Sequence, residues 1–555
     1  MTSVACHLDH VFFNGSVLTM NVEDKVAEAV GVSGNRILCV GSREEVCSLG
    51  DENTNYIDLR GRSLVPGFID SHFHPILNGL FGQGEDASII DISYAQCPTI
   101  GHILALVEKA AAKRPKGSWI SMMGYDQNRI AEGRHITLEE LDKAAPFHRI
   151  QCMRTCGHVC VYNSLALASI GVKGAMDADK YPKNEIVVEK GTLTGLVKDH
   201  THFYLWSQME YSEEEQTRAA MSSQNLLLEN GITSIHDPGE FGTISFRIMQ
   251  RLCRERLFKP RVYMMLHSIY GKPLSKAMTD RAMILGLLTG LGDEHFRIGS
   301  CKFMIDGGTS GPSCATREPY DHDPDLPGIL GWEREEAINY IRKIHNAGCQ
   351  ATAHAVGDLA VSYMVEGFER AQAENPRKNA RHRIEHCSIV DPDLIRRIAE
   401  LELCPSLNPG FLLWNGKNYS RYFGKRMQYF TALRSMLDAG IRVSLGSDAP
   451  SGPLRFFEIL DGAVNRIDRS TDTPTDKKQA ITLHEALRLY TINGAYASFE
   501  EGEKGSIEPG KLADLVVLST DISSLDDTGI KDLRVDLTML DGNIEYQREM
   551  CYDQP

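Results

Sequence analysis

The chain opens on MTSVACHLDH, which offers no basic segment followed by an apolar one, so a secretory leader is not expected. Nowhere does an apolar run approach the roughly 18–20 residues that span a bilayer. An excess of positive charge is missing as well: 59 Lys and Arg stand against 74 Asp and Glu, a net charge of -15. That balance argues against nucleic acid or an anionic membrane as the principal partner. The 14 cysteines are thinly spread over 555 residues and form no disulfide framework. Without a leader they read as the reduced thiols of a cytoplasmic protein. The densest group, Cys152, Cys156 and Cys160 with His158 among them, follows no common zinc spacing and reads as small apolar residues on and after a buried strand. Internal repeats and low-complexity tracts are lacking. So are a Gly-x-Ser-x-Gly elbow and a Cys/His nucleophile signature, which leaves serine- and cysteine-based catalysis without a motif.

What is present is an ordinary globular composition, 42% hydrophobic and 24% charged, on a chain long enough for two or three domains. HVFFNGSVLTM, AVGVSGNRILCVG and NYIDLRGRSLVPG join β-branched and aromatic residues to Asn-Gly and Gly turns. GSIEPGKLADLVVLS and DLTMLDGNIEYQ repeat that pattern at the other end. The economical reading is a β-sandwich built from both termini, residues 1–64 with 480–555. Between them apolar strands alternate with amphipathic helices such as EREEAINYIRKIHNAG. The strands are read at Val65–Asp70, Thr233–Asp237, Arg261–Leu266, Cys301–Ile305, Gln350–His354, Arg381–His386, Leu403–Asn408 and Val443–Asp448. Eight of them with helical crossovers predict an α/β fold, a (β/α)8 TIM barrel over residues 65–84 and 216–479. The gap between its first two strands is too long for one crossover, so residues 85–215 are expected to form an insertion over one end of the barrel.

The chemistry lies at the strand ends. VPGFIDSHFHP ends the first strand with His72 and His74, an i, i+2 pair that an ideal strand points to one face. Later strands deliver Lys302, His354, His386 and Asp448 in turn. Active sites of this fold occupy the C-terminal face of the strands, and imidazole with carboxylate suits zinc and similar divalent ions. A lone strand-end histidine is more often a hydrogen-bonded core residue. A lone strand lysine usually snorkels, and Asp448 in GSDAP could cap a turn. The ordered set outweighs these separate readings.

That set, VPGFIDSHFHP, KFMIDGG, HAVGD, RIEHC and GSDAP, resembles the amidohydrolase superfamily. GYDQNR, CGHVCVYNSLAL, TGLVKDH, DGGTSGPSCATREPYDHDP and EALRLYTINGAYA narrow the resemblance to amidohydrolase family 3, the branch of the N-substituted formamide deformylases and YtcJ-type proteins. The resemblance implies a metal-dependent hydrolase that cleaves a C–N bond of a small molecule by activated water, with one or two zinc ions. His72, His74 and Asp448 would hold one ion, and His354 and His386 a second. Lys302 would be a carboxylated bridge or, with a single ion, a plain cation. Asp448 would shuttle the proton from water to the leaving amine. Asp126, His158 and Asn163 of the insertion, Arg317 and Tyr320 of a Gly-rich loop, and Trp414 are candidates for contact with substrate. Relatives are often dimers, which leaves a homodimer open. A metal lyase, decarboxylase or isomerase on the same scaffold is the alternative chemistry.

Overall fold

The computed structural model describes residues 7–326 and 328–549. Its centre is an eight-stranded parallel sheet. Its strands are β1 (Phe68–Asp70), β2 (Ile232–Asp237), β3 (Arg261–Leu266), β4 (Phe296–Met304), β5 (Ala351–Ala355), β6 (Arg383–His386), β7 (Cys404–Leu407) and β8 (Ser444–Leu445). Neighbours in the chain are neighbours in space, in the order β1 to β8. Seven of the eight strands are buried throughout, and β4 nearly so, as expected of parallel strands covered on both faces. The ends meet through Ser71, whose N–H and hydroxyl both donate to the Leu445 carbonyl (2.9 and 2.6 Å). The Asp448 N–H donates to the His72 carbonyl at 2.7 Å. Gly446 makes this closure sterically feasible, because a Cβ there would lie 2.7 Å from the His72 backbone nitrogen. The fold is the TIM barrel that the sequence predicts.

Crossover helices follow the same logic. Arg334–Asn346 buries Ala337, Ile338, Ile341 and Ile344 at helical spacing on the barrel, with acidic residues in its first turn and Lys343 in its last. Glu213–Glu229 starts at a Ser212/Glu215 capping box and lies so close to the helix Pro75–Leu80 that a Cβ on Gly79 would meet the Ala219 carbonyl oxygen at 1.9 Å.

Two further sheets contain strands from near the amino terminus. One has four strands, Arg36–Gly41, Ala29–Ser33, His10–Phe13 and Asn55–Asp58, in that order. The other has six, in the order Asn543–Gln547, Val535–Leu540, Leu515–Leu518, Ser63–Pro66, Ser16–Leu18 and Val26–Ala27, so strands from both ends of the sequence share one ladder. Val65 belongs to this sheet and not to the barrel: it pairs with Val516, and β1 begins only at Phe68. The stretch between β1 and β2 carries a seven-stranded sheet with its own core around Ile90, Ile103, Val107, Ile120 and Ile150. Among the described residues no helix is long and apolar enough to cross a membrane.

Candidate metal centre and active-site cavity

His72 lies two residues beyond β1, and His74 precedes the helix Pro75–Leu80. The Asp70 carboxylate beneath them accepts the N–H groups of His72 (3.1 Å) and Ser447 (2.9 Å), tying the ends of β1 and β8. Lys302 lies in β4, His354 in β5 and His386 at the end of β6. His386 (φ 71°) and Asp448 (φ 56°) both adopt the left-handed conformation. Non-glycine residues held in that region cost about 1–3 kcal/mol each, and such strain gathers at working sites.

These side chains meet at the C-terminal mouth of the barrel. One ligating atom each of His72, His386 and Asp448 lies within 4.8 Å of the others. Asp448 Oδ1 is 3.5 Å from Nε2 of both His72 and His74. Lys302 Nζ is 3.3 Å from His72 Nε2. The His354 and His386 ring centres are 4.5 Å apart. The trio His72, His386 and Asp448 is a different grouping from the trio His72, His74 and Asp448 and the pair His354 and His386 that the resemblance implies.

A second set of side chains fixes these ligands. Buried Glu385 accepts from His72 Nδ1 at 2.6 Å, from Arg383 Nε and Nη2 at 2.7 and 3.0 Å, and from Thr352 Oγ1 at 2.7 Å. With Nδ1 donating, His72 presents its Nε2 lone pair to the cavity. Asn408 Oδ1 does the same for His386, 2.7 Å from its Nδ1. Asp306 receives the N–H groups of Ala315, Val356 and Gly357, which sets the loops after β4 and β5.

Burial, with the Lys302 charge nearby, lowers His72 to about 3, and burial also lowers His74, His354 and His386. All four rings are therefore neutral at pH 7, the state that binds metal. Burial works against ionisation of Asp448, yet the imidazoles of His74, His72 and His386 outweigh it and hold the carboxyl well below the usual carboxylate range. Burial lowers Lys302 to about 8 against the pull of Glu385 and Asp448. Neutral imidazoles converging on an ionised carboxylate are a donor set that fits a divalent cation.

The model of the amidohydrolase family matches residues 55–546, nearly the whole chain. The chain belongs to the amidohydrolase family. The N-substituted formamide deformylase of Arthrobacter pascens is 28% identical over 97% of this chain and 98% of its own length. YtcJ of Bacillus subtilis is 27% identical over 97% of this chain and 99% of its own. An uncharacterised metal-dependent hydrolase from Pyrococcus horikoshii has the same fold, with a TM-score of 0.72 at 22% identity over 94% of this chain and 99% of that one. A hydrolytic role follows for this amidohydrolase at the level of the family.

This cluster of side chains floors a cavity. Its polar wall is His72, His74, His267, Lys302, His354 and Asp448; its apolar wall includes Leu77, Met123, Met153, Phe203, Trp206 and Ile269. Met123, Met153, Cys156 and His158 come from the long segment between β1 and β2, which roofs the site. Of the substrate candidates, His158 lines this cavity, with Nδ1 2.7 Å from Asp199 Oδ1. Asp126 and Trp414 line an outer vestibule with Arg129 and Tyr94, and Asp126 is held by Arg154 at 2.6 Å.

Three candidates are not brought to the cavity. Asn163 caps the helix Ser164–Ala168 and is saturated by the backbone of Ile150, His148 and Ala166. Arg317 is exposed and pairs with Asp391 at 2.6 Å. Tyr320 is buried beneath its loop and donates to the Cys314 carbonyl at 2.6 Å. Among the described residues, Cys152, Cys156 and Cys160 form no metal-holding group; Cys152 and Cys160 are strand residues in the core, and Cys156 faces the cavity. The sequence reading missed Glu385, Asn408 and His267. His267 follows β3 as a strand-end histidine like the others, so its position was a usable signal. For Glu385 the signal was Arg-x-Glu in RIEH, two charged residues on one face of a buried strand.

Proposed function

We propose that this amidohydrolase cleaves the C–N bond of a small-molecule amide, N-formyl amine or cyclic amide at a divalent-metal centre, with zinc the ion that the donors suit best. The observation that carries the reading is the convergence of the His72, His386 and Asp448 ligating atoms within 4.8 Å at the floor of the cavity. His72, His74, His354, His386 and Asp448 would hold metal, and Lys302, as its carbamate, would join them. When bound, the ion would activate water and polarise the substrate carbonyl.

The chain's own residues do the rest. Asp448, ionised and touching two imidazoles, accepts the proton of the attacking water and passes it to the departing nitrogen. His158, held by Asp199, stands on the roof side of the cavity next to His354, their ring centres 4.8 Å apart, and is placed to hydrogen-bond the carbonyl or the leaving group. The Met123, Met153, Phe203 and Trp206 wall excludes water and receives an apolar substituent. In this reading residues 85–215 act as the specificity roof, residues 65–84 and 216–479 as the catalytic barrel, and residues 1–64 with 480–555 as a supporting β module. The protein would act in the cytoplasm.

The test is a screen of purified protein, with metal analysis, against N-formyl amines, amides, lactams and hydantoins in ¹⁸O-labelled water. Chelator-sensitive release of amine with label in the carboxylate product supports hydrolysis. Turnover without label would assign lyase or isomerase chemistry instead, and activity unaffected by chelation in metal-free protein would end the metal reading.

A further inference from the structure

A second cluster of metal-binding side chains lies at the opposite end of the barrel. Glu294 and His295 immediately precede β4, whereas Lys302 is seven residues further along that strand, roughly 23 Å away at the rise of an extended chain. Asp541 comes from the turn between the strands Val535–Leu540 and Asn543–Gln547. His295 Nε2 is 3.4 Å from Asp541 Oδ2 and 3.7 Å from Glu294 Oε1, and one ligating atom of each residue lies within 4.8 Å of the others. Ligands at 2.0–2.1 Å around a tetrahedral zinc are separated by roughly 3.4 Å, so this trio needs only small side-chain adjustment to surround an ion.

A separate observation points to a ligand. His295 is only 5% exposed, and neither of its ring nitrogens has a hydrogen-bond partner. A buried imidazole with both nitrogens unsatisfied forfeits its hydration without return, at a cost of a few kcal/mol by general estimates. Its carboxylate neighbours, at 3.4 and 3.7 Å, make no hydrogen bond to it, and their separation suits an intervening atom.

The surrounding charges agree. Arg261 contacts Asp541 at 3.1 Å but is chiefly bound to Asp514, at 2.7 and 2.9 Å. Arg36 stands 3.5 Å from Glu294 but is bound to Glu503 at 2.7 Å. Four carboxylates therefore share two guanidiniums in direct contact, and a fifth, Glu500, engages Lys504 at 3.0 Å and Arg297 at 3.3 Å. The set keeps an excess of negative charge, which favours a cation.

We infer that Glu294, His295 and Asp541 form a structural site for a first-row divalent cation, zinc foremost, that pins the C-terminal β-hairpin to the base of the barrel. The ligands come from segments about 250 residues apart in sequence, so an ion there cross-links the two ends of the fold. One imidazole and two carboxylates leave a position for water, and Asn35, which donates to Glu294 Oε1 (3.4 Å) and Asp541 Oδ1 (3.2 Å), holds the two carboxylates in place.

The experiment counts zinc by elemental analysis in zinc-loaded, desalted protein, comparing wild type with His295→Gln and Asp541→Asn. Each variant should carry one equivalent less than wild type, because a site of only three protein ligands does not hold its ion through desalting once one of them becomes a neutral amide. To separate this ion from that of the catalytic cavity, the same substitutions are placed in a His72→Ala/His386→Ala background. That background should retain one equivalent, and adding zinc to its metal-free form should raise its melting temperature by several degrees; His295→Gln should abolish both. If His295→Gln does not fold, Asp541→Asn, which keeps an oxygen for Arg261 and Asn35, decides the matter. Unchanged zinc content in the variants, or a background that binds no zinc and gains no stability from it, overturns the site.

Discussion

Replacing Glu385 by Gln tests whether the catalytic cavity is held together in the way its hydrogen bonds indicate. Glu385 is fully buried and accepts from three side chains at once: His72, Arg383 and Thr352. Its ionised form is held well below the usual carboxylate range, because Arg383 and His72 outweigh the burial that opposes ionisation. A glutamine of the same shape has one acceptor oxygen and an NH₂ group. If the oxygen stays with Arg383 and Thr352, the NH₂ faces His72 Nδ1, and two donors cannot face each other at 2.6 Å. His72 must then accept at Nδ1 and carry its proton on Nε2, the atom that faces Lys302 and Asp448 and would hold metal. Loss of such an orienting partner typically costs 10–100-fold in metal affinity, about 1.4–2.7 kcal/mol. The unpaired Arg383, buried without its carboxylate, adds about 3–5 kcal/mol of lost stability. The assay is zinc affinity by competition with a chelator of known strength, alongside melting of the metal-free protein. Thr352→Val is the control: it removes one hydrogen bond, about 1 kcal/mol, without touching the tautomer. Zinc affinity of Glu385→Gln within threefold of wild type would refute the tautomer argument, and unchanged melting would refute the pairing with Arg383.

Asp448→Asn should fold and keep most of its metal while kcat falls roughly 10²–10⁴-fold, as expected on loss of a general acid–base group. The Asp448 side chain contacts imidazoles rather than the backbone, so near-normal kcat with a lowered melting temperature would restore the capping role considered from sequence. Lys302→Ala should lose metal and activity and regain part of both with short carboxylic acids; a high-resolution map with a bare ammonium beside a single ion would refute the carbamate. Because His72, His354 and His386 are lowered below the ordinary imidazole value, their nitrogens stay free of protons as the pH falls. Zinc affinity should therefore fall from pH 7 to 5.5 by no more than the roughly thirtyfold that protonation of Lys302, at about 8, costs; two imidazoles of pKa about 6.5 would add roughly seventyfold, and a fall of that combined size, measured by competition titration, would contradict the lowered values. Trp414→Ala should raise KM with little change in kcat, since its ring stands in the outer vestibule and not at the cluster; a kcat loss above tenfold would place it closer to the chemistry than its position allows.

The barrel was legible because its strands are short, apolar and buried, and each ends where a polar residue must turn toward the cavity. The misplacements have local causes. Val65 continues the apolar run of β1, but Val516 of the other sheet claims it. β4 starts at Phe296, ahead of the position read from the sequence, because Arg297 and Gly299 interrupt the apolar pattern without breaking the ladder. β8 shrinks to Ser444–Leu445: Gly446 still donates to Leu407 of β7, but Ser447 and Asp448 turn to Asp70 and the His72 carbonyl instead. The strand-end histidines, Lys302 and Asp448 could be found because periodicity alone predicts where a strand end points. Asn163, Arg317 and Tyr320 stand beside loops with the right motifs, but whether such a side chain turns inward depends on backbone partners far away in sequence. Glu385 was hidden for a related reason. Its role exists only once β1 and β6 lie across the barrel from each other.

The buried charges bear on the carbamate proposed for Lys302. Around the ligand cluster, Lys302 and Arg383 contribute two positive charges, and Glu385 and Asp448 two negative ones. Of the deeper carboxyls, burial raises Asp306 to about 8 and Asp237 to about 7, whereas Asp70, raised only to about 6, stays mostly ionised at pH 7 and adds a negative charge. Uncompensated charge in such a region is costly, several kcal/mol per ion even after relaxation, so the negative surplus favours a divalent cation. Carboxylation of Lys302 would turn one positive charge into one negative, a change of two, and would offset a further two positive charges of bound metal. The step needs an unprotonated amine to form the N–C bond with carbon dioxide and release a proton. Burial has already moved Lys302 to about 8, where a useful fraction is unprotonated at neutral pH. The desolvation that makes a plain ammonium unfavourable at this position thus also prepares it for modification.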